Sequence, residues 1–299
     1  MPNEFEFISP AKINLFLRVV GKQPDGYHQL ISLMCPVSLH DRIRIQFHAK
    51  QMQIKCTDPQ VPDNKSNLAC RAAELFFQAT SYDDFVKINI EKNIPVGAGL
   101  GGGSSNAATV LLALNQWYMN PLNDDQLKTI ALSLGADVPF FLNHSVSLVS
   151  GIGEHIHETA LEIQNPLIIV YPGFSVSTAW AFKNFKIDLT KEKRAGIKTN
   201  LINRYTKSQI DWISDIHNDL ETITFQRYPI LTEIKETLIF KGACQSVMSG
   251  SGSSIIGIFS SDSAVENALK DLKKNKSWQV YACHVIKNIS LKQVNNTNC

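Results

Sequence analysis

The cysteines of this sequence are few and scattered, and their spacing does not suggest a metal site. The six lie at positions 35, 56, 70, 244, 283 and 299, and no two of them form a CxxC pair. Disulfide frameworks and structural zinc sites depend on regular or paired cysteines, so this spacing argues against both. We therefore expect free thiols in a reducing, cytoplasmic setting, and no set of protein ligands for a metal.

An excess of one charge and long apolar runs are also lacking. Lys and Arg number 29 against 27 Asp and Glu, a net charge of +2, which gives no reason to expect a nucleic-acid partner. No apolar run approaches the roughly 18 residues of a membrane span, and the first residues do not read as a signal peptide. The 299 residues, of which 44% are hydrophobic, suffice for one large or two medium domains.

Glycine, by contrast, is concentrated in one stretch. Five glycines fall within residues 97–103 of the segment PVGAGLGGGSSNAA at 95–108, where they leave backbone N–H groups bare and let a ligand approach closely. Apolar residues then recur at helical spacing, at Ala107, Val110, Leu111, Leu114 and Trp117. Because a helix N-terminus combines unpaired N–H groups with the positive end of the helix dipole, the stretch predicts a phosphate site. The alternative is a flexible Gly-Ser linker.

Two well-known phosphate loops can be compared with this stretch. A Walker A loop requires a lysine after its glycines, and none follows here. Gly97, Gly99 and Gly102 do match the dinucleotide fingerprint GxGxxG, but an NAD site also needs a second strand ending in an acid about 20 residues on. Residues 118–126 instead resemble a loop that leads into another helix. A third kind of loop remains, one whose charged partners come from elsewhere in the chain.

An upstream strand carries polar residues on one face. Lys12 and Asn14 are two residues apart and therefore share a face of a strand, while Ile13, Leu15 and Leu17 take the other face. This arrangement suits a binding site, although an ordinary solvent-facing strand is equally compatible with it.

A turn signal at residues 25–26 then presents Tyr27 and His28 at the start of the next strand. An aromatic ring with a polar neighbour suits a flat heterocycle. The alternative is a hairpin with an exposed aromatic residue.

Asp137 is the acid whose position is most suggestive. It follows Gly135, which ends a predicted helix, and precedes an apolar segment. It could equally be the N-cap of a helix that begins at Val138. His155 and His157 share a strand face, but no third ligand is suggested, so we do not expect a metal there.

The remaining periodicity predicts an α+β protein. Helices are expected at 67–80, directly after the glycine stretch, at 124–134, at 208–225, at 228–240 and at 262–273. A further helix is expected to begin at residue 178. Strands are expected at 4–8, 29–39, 42–47, 52–56, 85–90, two within 145–158, 166–172, 243–249, 253–259 and 278–287. The strands up to residue 56 suggest a meander, and the basic segment 183–207 is expected to be a solvated loop and helix.

The glycine stretch resembles the phosphate-binding motif of the GHMP kinases, the galacto-, homoserine, mevalonate and phosphomevalonate kinases. Residues 10–15, 25–28, 134–140 and 249–253 extend the resemblance in the same order from Ser9 to about Phe259. It implies a two-domain fold, with an N-terminal α/β domain of the ribosomal-protein-S5 type at 1–160 and a ferredoxin-like domain at 161–299. The active site would lie in the cleft between them.

The resemblance also implies ATP and Mg²⁺. ATP would be bound by Pro95, Gly97, Gly99, Leu100, Gly101, Gly102, Gly103, Ser104 and Ser105, with Asn67 toward the adenine and one of the two serines toward the magnesium. By analogy, Asp137 takes the proton from the acceptor hydroxyl, and Lys12 stabilises the transferring phosphoryl group.

The additional motifs resemble the branch of the family whose acceptor is a cytidine diphosphate-linked methylerythritol, an isoprenoid precursor of the non-mevalonate route. Tyr27 and Phe182 would sandwich the cytosine, His28 would read its edge, Asn14 would hold the methylerythritol hydroxyls and Thr178 would line the pocket. Other readings are a kinase of another small alcohol such as homoserine or mevalonate, a nucleotide-binding regulator, and an NAD-dependent enzyme. A monomer or weak homodimer is expected.

Overall fold

The computed structural model describes residues 3–24, 26–143, 145–186, 191–205 and 211–287. Asp25 of the predicted turn lies outside the described residues, as do parts of the segment 183–210. No helix in these ranges is long and apolar enough to cross a membrane.

The first sheet is built on two long antiparallel strands, because alternating apolar residues continue through both. Its strands are β1 (Glu4–Lys22), β2 (His28–Gln46), β3 (Gln53–Cys56), β4 (Lys87–Glu91), β5 (Ser147–Gly151), β6 (His155–Glu158) and β8 (His217–Asn218). The order is β3-β4-β2-β1-β8, and β5 pairs with both β2 and β6. Strand β1 carries Lys12 and Asn14, and β2 begins at His28.

Helices cover one face of this sheet and form a core with it. They are α1 (Leu68–Thr80), α2 (Gly102–Trp117), α3 (Asp124–Leu134) and α4 (Phe140–Asn143). Helix α2 is buried along most of its length, and its small residues Ala107, Ala108 and Ala113 let it lie close to β1 and α1. The helix therefore has a fixed position, and its N-terminus lies directly after the glycines.

A second sheet forms from the chain beyond residue 160. Its strands are β7 (Leu167–Tyr171), β9 (Gln245–Met248), β10 (Ile255–Ile258) and β11 (Gln279–Cys283), in the antiparallel order β11-β7-β10-β9. The associated helices are α5 (Thr178–Asn184), α6 (Lys191–Tyr205), α7 (Glu221–Arg227), α8 (Ile230–Phe240) and α9 (Asp262–Leu272). The four predicted strands of this part are confirmed, as are the helices predicted from residue 178 and at 228–240 and 262–273.

The two sheets share one hydrophobic cluster. Ile13 and Leu15 of β1 belong to the same cluster as Leu167, Val247 and Ile256 of the second sheet. Strand β8 comes late in the chain, yet it pairs in parallel with β1. A domain boundary near residue 160 stays a prediction. Beyond residue 160 the chain returns to the first sheet at β8.

Three local predictions are wrong. Residues 53–56 do not continue a meander but pair in parallel with β4. Residues 29–39 and 42–47 are one strand. The helical pattern at 208–225 contains instead, in its described part, a 3₁₀ turn at Ile213–Asp215, strand β8 and the start of α7. There the side chains of Asn218 and Asp219 bond to backbone groups, which favours non-helical structure.

The face of Leu17 is also corrected. A register shift between Asn14 and Phe16 interrupts the alternation of β1, as a bulge does. Leu17 consequently lines the same cavity as Lys12 and Asn14 rather than facing the other way.

Candidate active site

A cavity of about 590 Å³ opens between the glycine loop (residues 95–101), β1 and the serine-glycine turn (residues 249–253). Most residues singled out in the sequence line it: Lys12, Asn14, Asn67, Pro95, Gly97, Gly99, Leu100, Gly101, Gly102, Gly103, Ser104, Asp137, Thr178 and Phe182. Ser105, Tyr27 and His28 are not among its lining residues. The fold thus brings together segments that are more than 100 residues apart in sequence.

The glycine loop has a backbone conformation that favours glycine. Gly97, Gly99 and Gly101 have φ values of 67°, 78° and 69°, in the left-handed region. A Cβ on Gly99 would lie 2.3 Å from the carbonyl oxygen of Ser249, so the loop and the serine-glycine turn are in contact. The Ser249 hydroxyl donates to the Gly99 carbonyl at 3.0 Å, which closes the cavity on this side.

Helix α2 starts at Gly102 as the loop ends, with Gly101 as its N-cap. The first N–H groups of a helix have no partner within the helix, so they are available to an anion. Ser104 lies in this first turn and lines the cavity. Ser105, the predicted alternative, does not: its hydroxyl is buried and lies 2.8 Å from that of Ser9, so it faces the interior.

A lysine and an aspartate face each other beside the loop. The Lys12 ammonium lies 3.5 Å from a carboxylate oxygen of Asp137; the lysine side chain is 5% exposed and that of Asp137 is 42% exposed. Asp137 lies in the turn before α4, which begins at Phe140, so it does not take the alternative position of N-cap to a helix that begins at Val138. The carboxylate is therefore paired with a cation and open to the cavity.

Asn14 holds the lysine in place. Its side-chain oxygen accepts a hydrogen bond of 2.7 Å from Lys12 Nζ, and its amide nitrogen donates to the Ser32 hydroxyl at 2.8 Å. The Asn14 backbone N–H donates to Ser249 Oγ at 3.3 Å. These contacts orient Lys12 toward Asp137, while the predicted role of Asn14 toward acceptor hydroxyls stays a prediction.

The His28 ring stacks on Phe182 of α5, with centroids 5.3 Å apart and planes at 28°. The sandwich of a cytosine between Tyr27 and Phe182 stays a prediction. Tyr27 is 63% exposed. Burial lowers the pKa of His28 below its ordinary value of 6.5, and the positive charge of Lys22 lowers it further, which favours a neutral imidazole at pH 7.

Thr178 and Asn67 line the cavity with side chains that already have partners. The Thr178 hydroxyl lies 2.9 Å from that of Ser251, which joins α5 to the serine-glycine turn. The Asn67 side-chain oxygen caps α1 by accepting the Ala69 N–H at 2.9 Å, and its nitrogen donates to the Pro62 carbonyl. Both residues therefore shape the cavity wall.

Sequence reasoning missed a buried polar cluster beneath the glycine loop. Asp41 of β2 accepts hydrogen bonds from the Lys92 ammonium at 2.5 Å and from the Asn106 amide at 2.9 Å. Asn106 also donates to Ser9 Oγ. Asp41 is the only acid in β2, which is a signal that could have been followed, but the sequence alone does not name its partners. Elsewhere, His155 and His157 are exposed, and no group of metal-binding side chains occurs among the described residues.

Two family descriptions match this chain, one over the glycine loop and Asp137 and one over the serine-glycine turn. The N-terminal domain of the GHMP kinases matches residues 67–144, and the C-terminal domain matches residues 206–277. A protein of Citrifermentans bemidjiense named 4-diphosphocytidyl-2-C-methyl-D-erythritol kinase is 41% identical over 286 residues, which cover 95% of this chain and 99% of that protein.

The chain belongs to the GHMP kinase family. Among solved GHMP kinase structures, one titled 4-(cytidine 5'-diphospho)-2C-methyl-D-erythritol kinase is similar, with a TM-score of 0.74, 32% identity, and coverage of 93% of this chain and 98% of that one. Homoserine kinase from Cytophaga hutchinsonii has the same TM-score at 18% identity, with 95% and 96% covered, which shows the shared fold alone. The predicted two-part GHMP kinase fold is confirmed.

Proposed function

We propose that this chain is an ATP-dependent kinase that phosphorylates the 2-hydroxyl of 4-diphosphocytidyl-2-C-methyl-D-erythritol, in the non-mevalonate synthesis of isoprenoid precursors. The observation that carries the proposal is the pairing of Lys12 with Asp137 at 3.5 Å, beside the N-terminus that follows the glycine loop. Relatives that bear this kinase name align over nearly the whole chain, which supports the choice of acceptor.

Phosphoryl transfer depends mainly on positioning and charge neutralisation. Asp137 accepts the proton of the acceptor hydroxyl, which requires a carboxylate that the substrate can reach; its 42% exposure meets this requirement. Lys12 is held by Asn14 and lies on the cavity wall, where its ammonium stabilises negative charge on the transferring group. The N-terminus of α2 binds the phosphates of ATP.

The donor set of the cavity fits a magnesium ion that is shared with the nucleotide. Mg²⁺ is usually bound by one or two carboxylates together with substrate phosphates and water. Among the described residues that line the cavity, Asp137 is the one acid, and Ser104 adds a hydroxyl in the first turn of α2. These two residues would hold the ion, which neutralises phosphate charge when bound.

The acceptor's cytosine would be bound where His28 stacks on Phe182. A neutral imidazole can both donate and accept hydrogen bonds, so it can read the edge of a base. Tyr27 is close in sequence and would cover the other face of the base only if it turns inward. Thr178 and Ser251 line the same cavity as Phe182, Lys12 and Asp137, and their hydroxyls would be available to the diphosphate.

The test is an ADP-release assay of the purified chain with ATP and three acceptors: the cytidyl-linked methylerythritol, homoserine and mevalonate. We expect turnover with the first alone, and mass spectrometry of the product should locate the added phosphoryl group on its methylerythritol half. Reaction without acceptor gives the ATPase background. Turnover only with another alcohol would contradict the acceptor but keep the kinase, whereas ATP binding without any turnover would indicate a regulator.

A further inference from the structure

Asp41 is a fully buried carboxylate beneath the glycine loop, and the chemistry proposed above gives it no role. It lies in β2 opposite Ser9 of β1, and its exposed fraction is 0%. Burying an ionised carboxylate is costly unless hydrogen bonds and an opposite charge compensate. The contacts that compensate here show what the residue does.

Each oxygen of Asp41 accepts two hydrogen bonds. Oδ1 accepts the backbone N–H groups of Asn93 and Ile94, both at 2.8 Å. Oδ2 accepts the Lys92 ammonium at 2.5 Å and the Asn106 amide at 2.9 Å. All donors come from the two segments that flank the glycine loop.

The contacts therefore fix both ends of the loop to one strand. Asn93 and Ile94 come directly before Pro95, where the loop begins, and Asn106 is the fifth residue of the helix that follows it. The loop has glycines at left-handed φ values. Ala98 and Leu100 pack into the core in its middle, while the Asp41 contacts hold the residues before and after it. The buried Asp41 carboxylate therefore holds the chain both before and after the glycine loop.

Asp41 also places a positive charge at the start of α2. The Lys92 side chain is 4% exposed and lines the cavity. Its ammonium lies 2.7 Å from the position that a Cβ on Gly102 would take, which locates it at the first residue of the helix. Without its carboxylate partner, a buried ammonium would lose its position or its charge.

We infer that Asp41 is a positioning residue for nucleotide binding: it holds the glycine loop and Lys92 in the arrangement that accepts the donor's phosphates. The inference rests on the proposed function, because it assigns the nucleotide to this loop. It concerns a residue that lies behind the cavity wall and does not touch the substrate.

The decisive variant is Asp41→Asn in the full chain. The new amide keeps an oxygen for the two backbone N–H groups, but it sets its own donors against Lys92 and Asn106. We expect the dissociation constant for ATP, measured by calorimetry, to rise about tenfold or more, as when a buried donor loses its acceptor. The KM for the acceptor should stay within about twofold, because the acceptor end shares none of these contacts.

A second variant tests whether the lost carboxylate is the cause of the weaker ATP binding expected in Asp41→Asn. In the wild type, Asn106 and Lys92 both donate to Oδ2 of Asp41. D41N/N106D moves the carboxylate from position 41 to position 106. The amide at position 41 then has an acceptor, and Lys92 again has a carboxylate near it. ATP affinity should return to within about threefold of the wild type, although the variant carries two substitutions.

The matched control is Glu6→Gln. Glu6 is 4% exposed, lies on β1 and pairs with Arg42 and Arg44 of β2, so it is also a buried carboxylate between the same two strands. Its loss should lower the melting temperature without changing ATP affinity. If Asp41→Asn does not give folded protein, Asn106→Ala keeps the Asp41–Lys92 pair and should weaken ATP binding about threefold.

The outcomes separate the two proposals. An unchanged ATP affinity in Asp41→Asn overturns the inference; if only Asn106→Ala folds, an unchanged affinity in that variant does so. A rise in the acceptor KM as large as the rise in the dissociation constant for ATP also overturns it. A weakened ATP affinity that D41N/N106D fails to restore also counts against it. Wild-type protein that binds ATP but phosphorylates no cytidyl-linked acceptor contradicts the proposed function and leaves the Asp41 test intact.

Discussion

The two ends of the cavity are built differently. At the end proposed for the donor, the glycine loop is held by buried groups that are hydrogen-bonded within the fold, such as Asp41, Lys92 and Asn106. At the end proposed for the acceptor, Tyr27 is exposed, and His28 stacks on Phe182, which lines the cavity. The proposed donor end thus has its polar groups hydrogen-bonded within the fold, while the proposed acceptor end leaves aromatic surface exposed.

This difference determines what a substitution measures. A change at the donor end breaks hydrogen bonds inside the fold, so its effect on nucleotide binding comes with a loss of stability. A change at the acceptor end removes contact area from an open wall, so it should act on KM with little loss of stability. The Lys12–Asp137 pair lies beside the glycine loop and combines a buried lysine with an exposed carboxylate.

The largest effect is expected from Asp137→Asn. The amide keeps the size of the side chain but cannot take the proton, so kcat should fall by roughly 10²–10⁴-fold. ATP affinity should change little, because the donor end keeps its contacts. Asp125→Asn is the control, since Asp125 is an exposed acid in the first turn of α3. A kcat within a few-fold of the wild type would leave Asp137 without a catalytic role.

Next in size is Gly99→Ala, which tests the fit of the glycine loop against the serine-glycine turn. The new Cβ would meet the Ser249 carbonyl at 2.3 Å, and φ at this residue is 78°. We expect ATP affinity to fall about tenfold or more, since a left-handed alanine alone costs about 1–2 kcal/mol. The measurement is calorimetric titration with ATP.

Gly196→Ala is the matched control for this substitution. Gly196 lies in α6, does not line the cavity, and a Cβ there would meet nothing within 4 Å. ATP affinity should stay within about twofold, because alanine favours a helix and this residue lies outside the cavity. A loss as large as that of Gly99→Ala would mean that the contact with Ser249 is not the cause.

The sequence was most informative where a motif and its chemistry are local. The glycines, the helix that follows them and the positions of Lys12 and Asp137 were all predicted, and the fold does bring the lysine and the aspartate together. The order of the motifs and the resemblance to the family sufficed to predict these residues, because each motif can be recognised within its own segment.

What could not be predicted depends on contacts between distant residues. Asp41 meets Lys92 and Asn106 across separations of 51 and 65 residues, and no periodicity reports such pairs. The short strand β8 interrupts a helical pattern because Asn218 and Asp219 bond across to other segments. The side of Leu17 depends on the register shift between Asn14 and Phe16 in β1, because one extra residue exchanges the two faces until the next shift, between Val19 and Gly21.

A smaller effect is expected at the acceptor end from Phe182→Ala. Stacking on a base is worth about 1–3 kcal/mol, so the acceptor KM should rise by about tenfold while ATP affinity stays constant. Tyr27→Ala should also raise the acceptor KM, but less, since Tyr27 is more exposed and does not line the cavity. An effect of Tyr27→Ala that exceeds that of Phe182→Ala would show that Tyr27 turns inward on binding.

The smallest effect is expected in the titration of His28. Its pKa lies below 6.5 because of burial first and Lys22 second, so the unfolded chain binds this proton before the folded chain as the pH falls. His28 therefore contributes stability at neutral pH that is lost as the pH drops below 6.5. The contribution is small because the group is only partly buried.

Nuclear magnetic resonance of the imidazole protons measures this pKa directly. The midpoint should lie below 6.5 in the wild type and move upward in Lys22→Met, because one of its two causes is removed. Phe182→Ala should move it upward as well, since the ring then gains water on the face that Phe182 covers. A midpoint at or above 6.5 would mean that the imidazole is as hydrated as a free one, and that the acceptor end is more open than the His28–Phe182 stack implies.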